Sequence, residues 1–208
     1  MYYQPTPISW NNYHFLIMSA PDDSSMKRCI KVSYLNANKL KDLENYNVKH
    51  LARSCEKTYD EELLNAAGIK VTELMFPDGM LPEQSIIDQW LKIVDDFFEN
   101  NQAPAETDTL ETKPTGKEGG RRHHKDQKGE PSPPRIGVHC VAGLGRAPLL
   151  VALALVHKGC SRINAIELIR KNRPGSLNLI QANYLVEYKD KGSKGGKNKN
   201  ASCQCNIF

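Results

Sequence analysis

Short apolar runs separated by polar breaks set the rhythm of this chain. Tyr13–Met18 is apolar and β-prone and predicts a strand, and the stretch from Ala20 to Ser25 predicts a loop. Met26–Leu43 carries helical spacing in part. Val48–Arg53 predicts a second strand, Tyr59–Ala67 a short helix stopped by Gly68, and the alternating Ile69–Leu74 a third strand. Phe76-Pro77-Asp78-Gly79 predicts a turn or loop by its proline and glycine. Pro82–Asn100 predicts a long helix with Ile86, Ile87, Trp90, Leu91, Ile93, Val94 and Phe97 as its apolar positions. Glu83 and Asp88 lie towards its positive end, which suits the helix dipole. Arg135–His139 predicts a strand, followed by a helix to about His157 and by helices at Ile163–Lys171 and Asn178–Tyr188. Strands alternating with helices imply an α/β fold, a central mostly parallel sheet flanked by helices on both faces.

Residues 101–134 break the rhythm. They are rich in Pro, Gly, Thr and charge, almost without large apolar side chains, and read as a disordered insertion between a helix and a strand. The basic run Gly119–Lys125 inside it is either a solvated stretch or a docking segment, and His123-His124 reads as solvated rather than as a metal site. The organisation is one domain over residues 8–188, interrupted by that insertion, and a tail over 189–208. A net charge of +4 over 208 residues, without aromatic-basic interleaving, is not a nucleic-acid-binding balance. No apolar stretch is long enough to span a bilayer, and no signal-peptide core stands at the N-terminus, so an intracellular protein is expected. In that setting six cysteines without regular spacing argue against a disulfide scaffold, and no Cys/His cluster has zinc-ligand spacing. Neither a metal nor a cofactor is expected.

The chemistry concentrates in Val138-His139-Cys140-Val141-Ala142-Gly143-Leu144-Gly145-Arg146-Ala147-Pro148, between the Arg135–His139 strand and the apolar run Leu149–Val156. Small residues let the N–H groups of Val141, Ala142, Gly143, Leu144, Gly145 and Arg146 turn towards one anion. The following helix N-terminus adds further donors, and Arg146 can grip two anion oxygens with its planar fork. Cys140 lies at the floor of such a pocket, where the same donors stabilise a thiolate placed for in-line attack on phosphorus. A nucleotide P-loop would need Lys-Ser or Lys-Thr after the glycine, and here Gly145 is followed by Arg146-Ala147. Expulsion of an alkoxide also needs a proton donor, and Asp78 in its flexible-looking loop is the candidate.

The string Cys-x5-Arg preceded by histidine resembles the signature of protein tyrosine phosphatases. Its longer form, running on into Leu149–Leu155, is similar to the phosphatase-of-regenerating-liver family (prenylated protein tyrosine phosphatase type IVA), in the dual-specificity branch. The resemblance implies that fold and a phosphocysteine mechanism with Cys140, Arg146 and Asp78. The family's acid loop reads Trp-Pro-Phe-Asp-Asp-Gly; here Leu74-Met75-Phe76-Pro77-Asp78-Gly79 lacks the tryptophan and the first aspartate. Ala147 follows the arginine where most relatives of the wider superfamily carry Ser or Thr. A methyl group cannot donate to the departing thiolate, so slow hydrolysis of phosphocysteine is expected. Arg53-Ser54-Cys55-Glu56 resembles the family's Arg-Val-Cys-Glu, which implies a reversible Cys55–Cys140 disulfide; a buried strand-end cysteine is the alternative. Gln181 either helps place the hydrolytic water or is a surface glutamine. His139 either tunes Cys140 or is a packed strand histidine.

The chain ends Cys205-Asn206-Ile207-Phe208, which fits a prenylation motif at Cys205 despite the non-aliphatic Asn206, and Phe at the last position points to geranylgeranyl. Lys189, Lys191, Lys194, Lys197 and Lys199 precede it, and a lipid plus a polybasic patch is the pairing that holds a protein on an anionic leaflet. Cys203 is a possible second lipid site. The expected location is the cytoplasmic face of the plasma or endosomal membranes, with cytosol or nucleus for unprenylated protein. Expected partners are phosphotyrosine proteins, phosphoinositides and the inner-leaflet membrane. The resemblance adds cyclin-M-type magnesium transporters and a homotrimer, and with them a second class of function, a phosphocysteine-switched binding module.

Overall fold

A computed structural model describes residues 4–20, 43–101 and 132–190. Most of the Met26–Leu43 helical stretch, the bulk of the 101–134 insertion, and the tail with Cys203 and Cys205 lie outside them. In chain order the elements are β1 (Thr6–Trp10), β2 (Tyr13–Ser19), β3 (Val48–Arg53), α1 (Glu62–Ala66), β4 (Lys70–Glu73), α2 (Gln84–Asn100), β5 (Arg135–Cys140), α3 (Arg146–His157), α4 (Arg162–Asn172) and α5 (Leu179–Glu187). The strands form one sheet in the order β1-β2-β5-β3-β4. β2, β5, β3 and β4 run parallel, and β1 pairs antiparallel to β2 at the edge. The fold is the expected α/β sheet with helices on both faces.

Strand alternation sorts the side chains onto two faces. Phe15 and Ile17 of β2 and Ile136 and Val138 of β5 join the larger core, with Trp90, Val94 and the apolar run of α3. Leu16, Met18 and Leu51 face the other way, against Tyr59, Leu64 and Ile69. α3 is buried from Arg146 to Leu155, so its sequence is apolar all round rather than striped. Trp90 is fully buried and its indole N–H donates to the Leu150 carbonyl at 2.7 Å, which fixes α2 against α3.

Two expectations are corrected. A strand precedes Tyr13: Pro5 and Pro7 hide β1 in the sequence, yet an edge strand tolerates a proline because one of its rows of N–H groups has no strand to meet. Asn11, at φ 50°, makes the tight turn into β2. The short helix begins at Glu62 rather than Tyr59. Asp60 Oδ1 accepts the Glu62 N–H at 3.2 Å, and Tyr59 instead drops its ring into the core.

The parallel strands put three chain segments at one edge of the sheet. β3 leads to Ser54-Cys55, β4 to the Leu74–Gly79 loop, and β5 to Cys140 and the glycine loop. That edge, at the carboxyl ends of the strands, is where open α/β sheets bind ligands.

Candidate active site

The glycine loop is best understood from its carbonyls. Val141 O accepts from the Ala20 N–H at 3.0 Å, Leu144 O from the Leu177 N–H at 2.9 Å, and Gly145 O from the Leu149 N–H at 3.1 Å. Between them, Arg173 donates from Nη2 to Ala142 O at 3.1 Å and from Nε to Gly143 O at 2.6 Å. Five successive carbonyls are thus tied outward. A trans peptide points its N–H opposite to its C=O, so the N–H groups of Ala142 to Arg146 are left for the concave side. The Gly143 N–H already donates to Cys140 Sγ at 3.2 Å. Gly143 holds φ +73°, and a Cβ there would lie 2.6 Å from both Arg173 Nη2 and Met18 O, so only glycine fits.

Cys140, Val141, Ala142, Leu144 and Gly145 line a cavity of about 300 Å³ together with Asp78, Gly79, Gly175, Asn178 and Gln181. The structure therefore gathers Asp78 and the nucleophile candidate around one space. Arg146 is buried and is not among the lining side chains; its Nη1 donates to Phe76 O at 3.2 Å, and its Nε lies 3.2 Å from Asp78 Oδ1 without the alignment of a hydrogen bond. The acid loop thus stands against the pocket although its tryptophan is missing. Leu74 and Phe76 are buried in the larger core and anchor it, while Met75 and Met80 are exposed.

Around Cys55 the structure shows a buried polar chain. His139 is fully buried, its Nε2 pairs with the Tyr59 hydroxyl at 2.7 Å, and its Nδ1 lies 3.9 Å from Cys55 Sγ. Arg53 sits over the Tyr59 ring and pairs with Glu61 at 2.7 Å and with Glu73. Burial pushes the Cys55 thiol up to about 11; the charge of Arg146 opposes this and that of Cys140 adds to it. Burial likewise pushes Tyr59 up to about 12, so its hydroxyl stays protonated beside His139.

The surface reading of Gln181 is overturned: the side chain is fully buried. Its Oε1 accepts the Asn178 N–H at 3.2 Å, closing a capping box at the start of α5, while Nε2 has no hydrogen-bond partner among the described residues. That amide lies 3.4 Å from where a Cβ on Gly145 would be, beside the pocket. Arg173, which ties the glycine loop, and Asn178, which reaches Gly79 O at 3.0 Å, are contacts of the site that sequence reasoning missed. Arg173 stands before a Pro-Gly turn, which signals only a helix end, and Asn178 before α5 signals only an N-cap.

Comparison with protein-family models gives no match. Among curated proteins, the chain is 36% identical over 203 residues to the probable protein tyrosine phosphatase type IVA A of Dictyostelium discoideum, covering 96% of this chain and 94% of that protein. It is 37% identical to the protein tyrosine phosphatase PRL-1 of Leishmania major, over 88% of this chain and 86% of that protein. It is 32% identical to the human protein tyrosine phosphatase type IVA 3, over 90% and 85%. Among solved structures, a Leishmania major protein tyrosine phosphatase superposes with a TM-score of 0.65 at 36% identity, covering 90% of this chain and all of that one. A kinase associated phosphatase with its catalytic cysteine replaced by serine superposes at 0.60 with 17% identity, covering 94% and 98%, a likeness of fold alone.

Proposed function

The chain belongs to the protein tyrosine phosphatase type IVA (PRL) family and is a protein tyrosine phosphatase; from that premise we propose that it cleaves phosphate monoesters through a phosphocysteine on Cys140. The observation that carries this reading is the tethering of five loop carbonyls, which leaves the N–H groups of Ala142 to Arg146 free of those tethers, with the Gly143 N–H donating to Cys140 Sγ. In the first step the Cys140 thiolate attacks phosphorus in line. The S–P bond forms, the ester P–O bond breaks, and Asp78 gives its proton to the leaving oxygen. Arg146 and the loop amides hold the three equatorial oxygens. In the second step water attacks phosphorus, Asp78 takes the water proton, and the thiolate leaves. Ala147 offers that thiolate no hydroxyl, so this step is slow. Substrates are phosphotyrosine proteins and, by the dual-specificity relationship, phosphoserine, phosphothreonine or phosphoinositide esters. Rapid-quench kinetics with a small aryl phosphate tests the scheme. It should show a burst of one equivalent and then a slow steady rate, and Ala147→Ser should speed the slow phase. High steady turnover without a burst would refute it.

Regulation and location follow as proposals from the same reading. Peroxide oxidises Cys140 to a sulfenic acid with loss of water; the Cys55 thiol then displaces a second water to give a Cys55–Cys140 disulfide. A peptide map after mild peroxide that lacks this crosslink would count against it. Prenylation at Cys205 and the lysine tail hold the enzyme on the cytoplasmic face of plasma or endosomal membranes, with unprenylated protein in cytosol or nucleus. A Cys205→Ser protein that stays on membranes contradicts this.

A second reading rests on exposed apolar side chains: Val141, which lines the pocket, and Met80, Leu179 and Ile180, each next in sequence to a lining residue. By it, the same face docks a cyclin-M-type magnesium transporter, phosphocysteine switches the binding, and a homotrimer is the assembled form. Asp78→Ala separates the readings, because it slows catalysis while leaving those side chains in place, whereas Cys140→Ser removes the switch itself.

A further inference from the structure

The acid loop is a problem of restraint. The Asp78 side chain is 77% exposed, so packing does not hold it. Upstream, buried Phe76 anchors the chain; downstream, the loop closes on itself through the Met80 N–H to Pro77 O at 3.3 Å. The contact between Arg146 Nε and Asp78 is one that a substrate must compete for, since Arg146 is the phosphate clamp. Another tie does not compete with phosphate. Asn178 Nδ2 donates to Gly79 O at 3.0 Å, one residue past the acid.

Asn178 is held in turn by α5. Its Oδ1 accepts the Gln181 N–H at 2.8 Å, and its own N–H donates to Gln181 Oε1 at 3.2 Å. The side-chain oxygen therefore caps the helix while the side-chain nitrogen reaches across to the loop. A rigid capping box fixes where that nitrogen points, and so fixes Gly79. We propose that Asn178 is the positioning residue of the general acid, latching the Asp78 loop over the phosphate pocket once phosphate has drawn Arg146 away. It touches no reacting atom and acts through Asp78. The proposal rests on the phosphocysteine mechanism above and assigns that mechanism the part that keeps its acid in range.

The two roles of the side chain can be separated. Asn178→Asp and Asn178→Ser keep an oxygen that caps α5 about as well as asparagine does, but neither carries the Nδ2 donor. The readout is the rate of the first-turnover burst with two substrates. One is a nitrophenyl phosphate, whose good leaving group needs little protonation; the other is unsubstituted phenyl phosphate, which needs the acid. The ratio of the phenyl to the nitrophenyl rate should fall about fivefold in both variants, the worth of one neutral hydrogen bond, with melting temperatures near that of the wild type. Asp78→Ala is run beside them and should lower the same ratio further. If Asp78→Ala lowers the ratio and neither Asn178 variant does, the latch is wrong and the mechanism stands. If the wild type shows no burst, or Asp78→Ala leaves the ratio unchanged, the mechanism fails and takes the latch with it.

Discussion

Arg173 should decide whether the phosphate loop can hold its own shape. Among the contacts of the described residues, one buried guanidinium serves Gly143 O at 2.6 Å, Ala142 O at 3.1 Å, Gln4 O at 2.9 Å and Thr6 Oγ1 at 2.8 Å. Arg173→Met keeps an unbranched apolar stem and removes every donor. Two loop carbonyls would then be left without this partner. At roughly 1–3 kcal/mol for each buried group left unsatisfied, the loss is about 4 kcal/mol. For a domain of this size that lowers the melting temperature by roughly 8–16 °C. The loop consequence is larger than the stability one, because a peptide whose carbonyl is no longer tied outward is free to rotate its N–H out of the pocket. Orthovanadate, an oxyanion that fills such loops, should bind at least about tenfold more weakly by isothermal titration, as expected for the loss of one or two anion hydrogen bonds. Thr6→Val is the control. It removes one of the bonds on the β1 side, should cost about 1 kcal/mol, and should leave vanadate affinity alone. If Arg173→Met binds vanadate as tightly as the wild type, the outward tether is decoration and the loop is shaped by its own backbone.

His50 should make the fold acid-sensitive: burial, aided by the charge of Lys70, pulls it from 6.5 down to about 4. Because the unfolded chain takes up its proton first, stability is lost as pH falls from 6.5 to 4, roughly 2–3 kcal/mol in all once partial solvent access is allowed for. Urea unfolding at pH 7.5 and 5 should show a steeper loss for wild type than for His50→Gln; equal slopes would refute it. Cys55, raised to about 11, should alkylate with iodoacetamide about tenfold faster per pH unit between 7 and 10, and a plateau near neutrality would show that its thiol is not held up. Gly143→Ala meets both a backbone clash and a positive φ, and should cost roughly 2 kcal/mol or more and weaken vanadate binding. A melting temperature equal to wild type would mean that the turn has room.

What the sequence made legible was what is written locally. Cys140 to Arg146 is contiguous, and its strand before and helix after are apolar runs, so the strand, loop and helix could be read without coordinates. The loop that brings Asp78 to the pocket was legible because Pro77 and Gly79 mark it. β1 was not, since two prolines suppress the strand signal that the edge position excuses. Arg173 reaches the loop from 30 residues away and Thr6 from 167, and no periodicity encodes such contacts. Gln181 is a polar side chain on a short helix, which by itself reads as surface; the capping box with Asn178 turns it inward instead. Tyr59 reads as the first residue of a helix by composition, but its ring takes a place in the smaller core, and that packing outweighs one more helical residue.

The resting contact between Arg146 and Asp78 also explains how one pocket can serve two charges in turn. Phosphate and Asp78 both seek the same guanidinium, and a strong pair would make the free enzyme resist its substrate. The carboxylate is mostly in solvent, however, and an ion pair with one exposed partner is worth about 1 kcal/mol or less. An arriving phosphate brings more charge, and it also meets the inward amides of Ala142 to Arg146, which the carboxylate does not engage in this structure. Substrate therefore takes Arg146 from Asp78 at little cost. On the proposed phosphocysteine mechanism it must not release Asp78 from the pocket altogether, since the acid is needed at the leaving oxygen a moment later. The exchange works only if something other than the arginine keeps the loop in place, and among the contacts of the described residues the Asn178 bond to Gly79 is placed to do so.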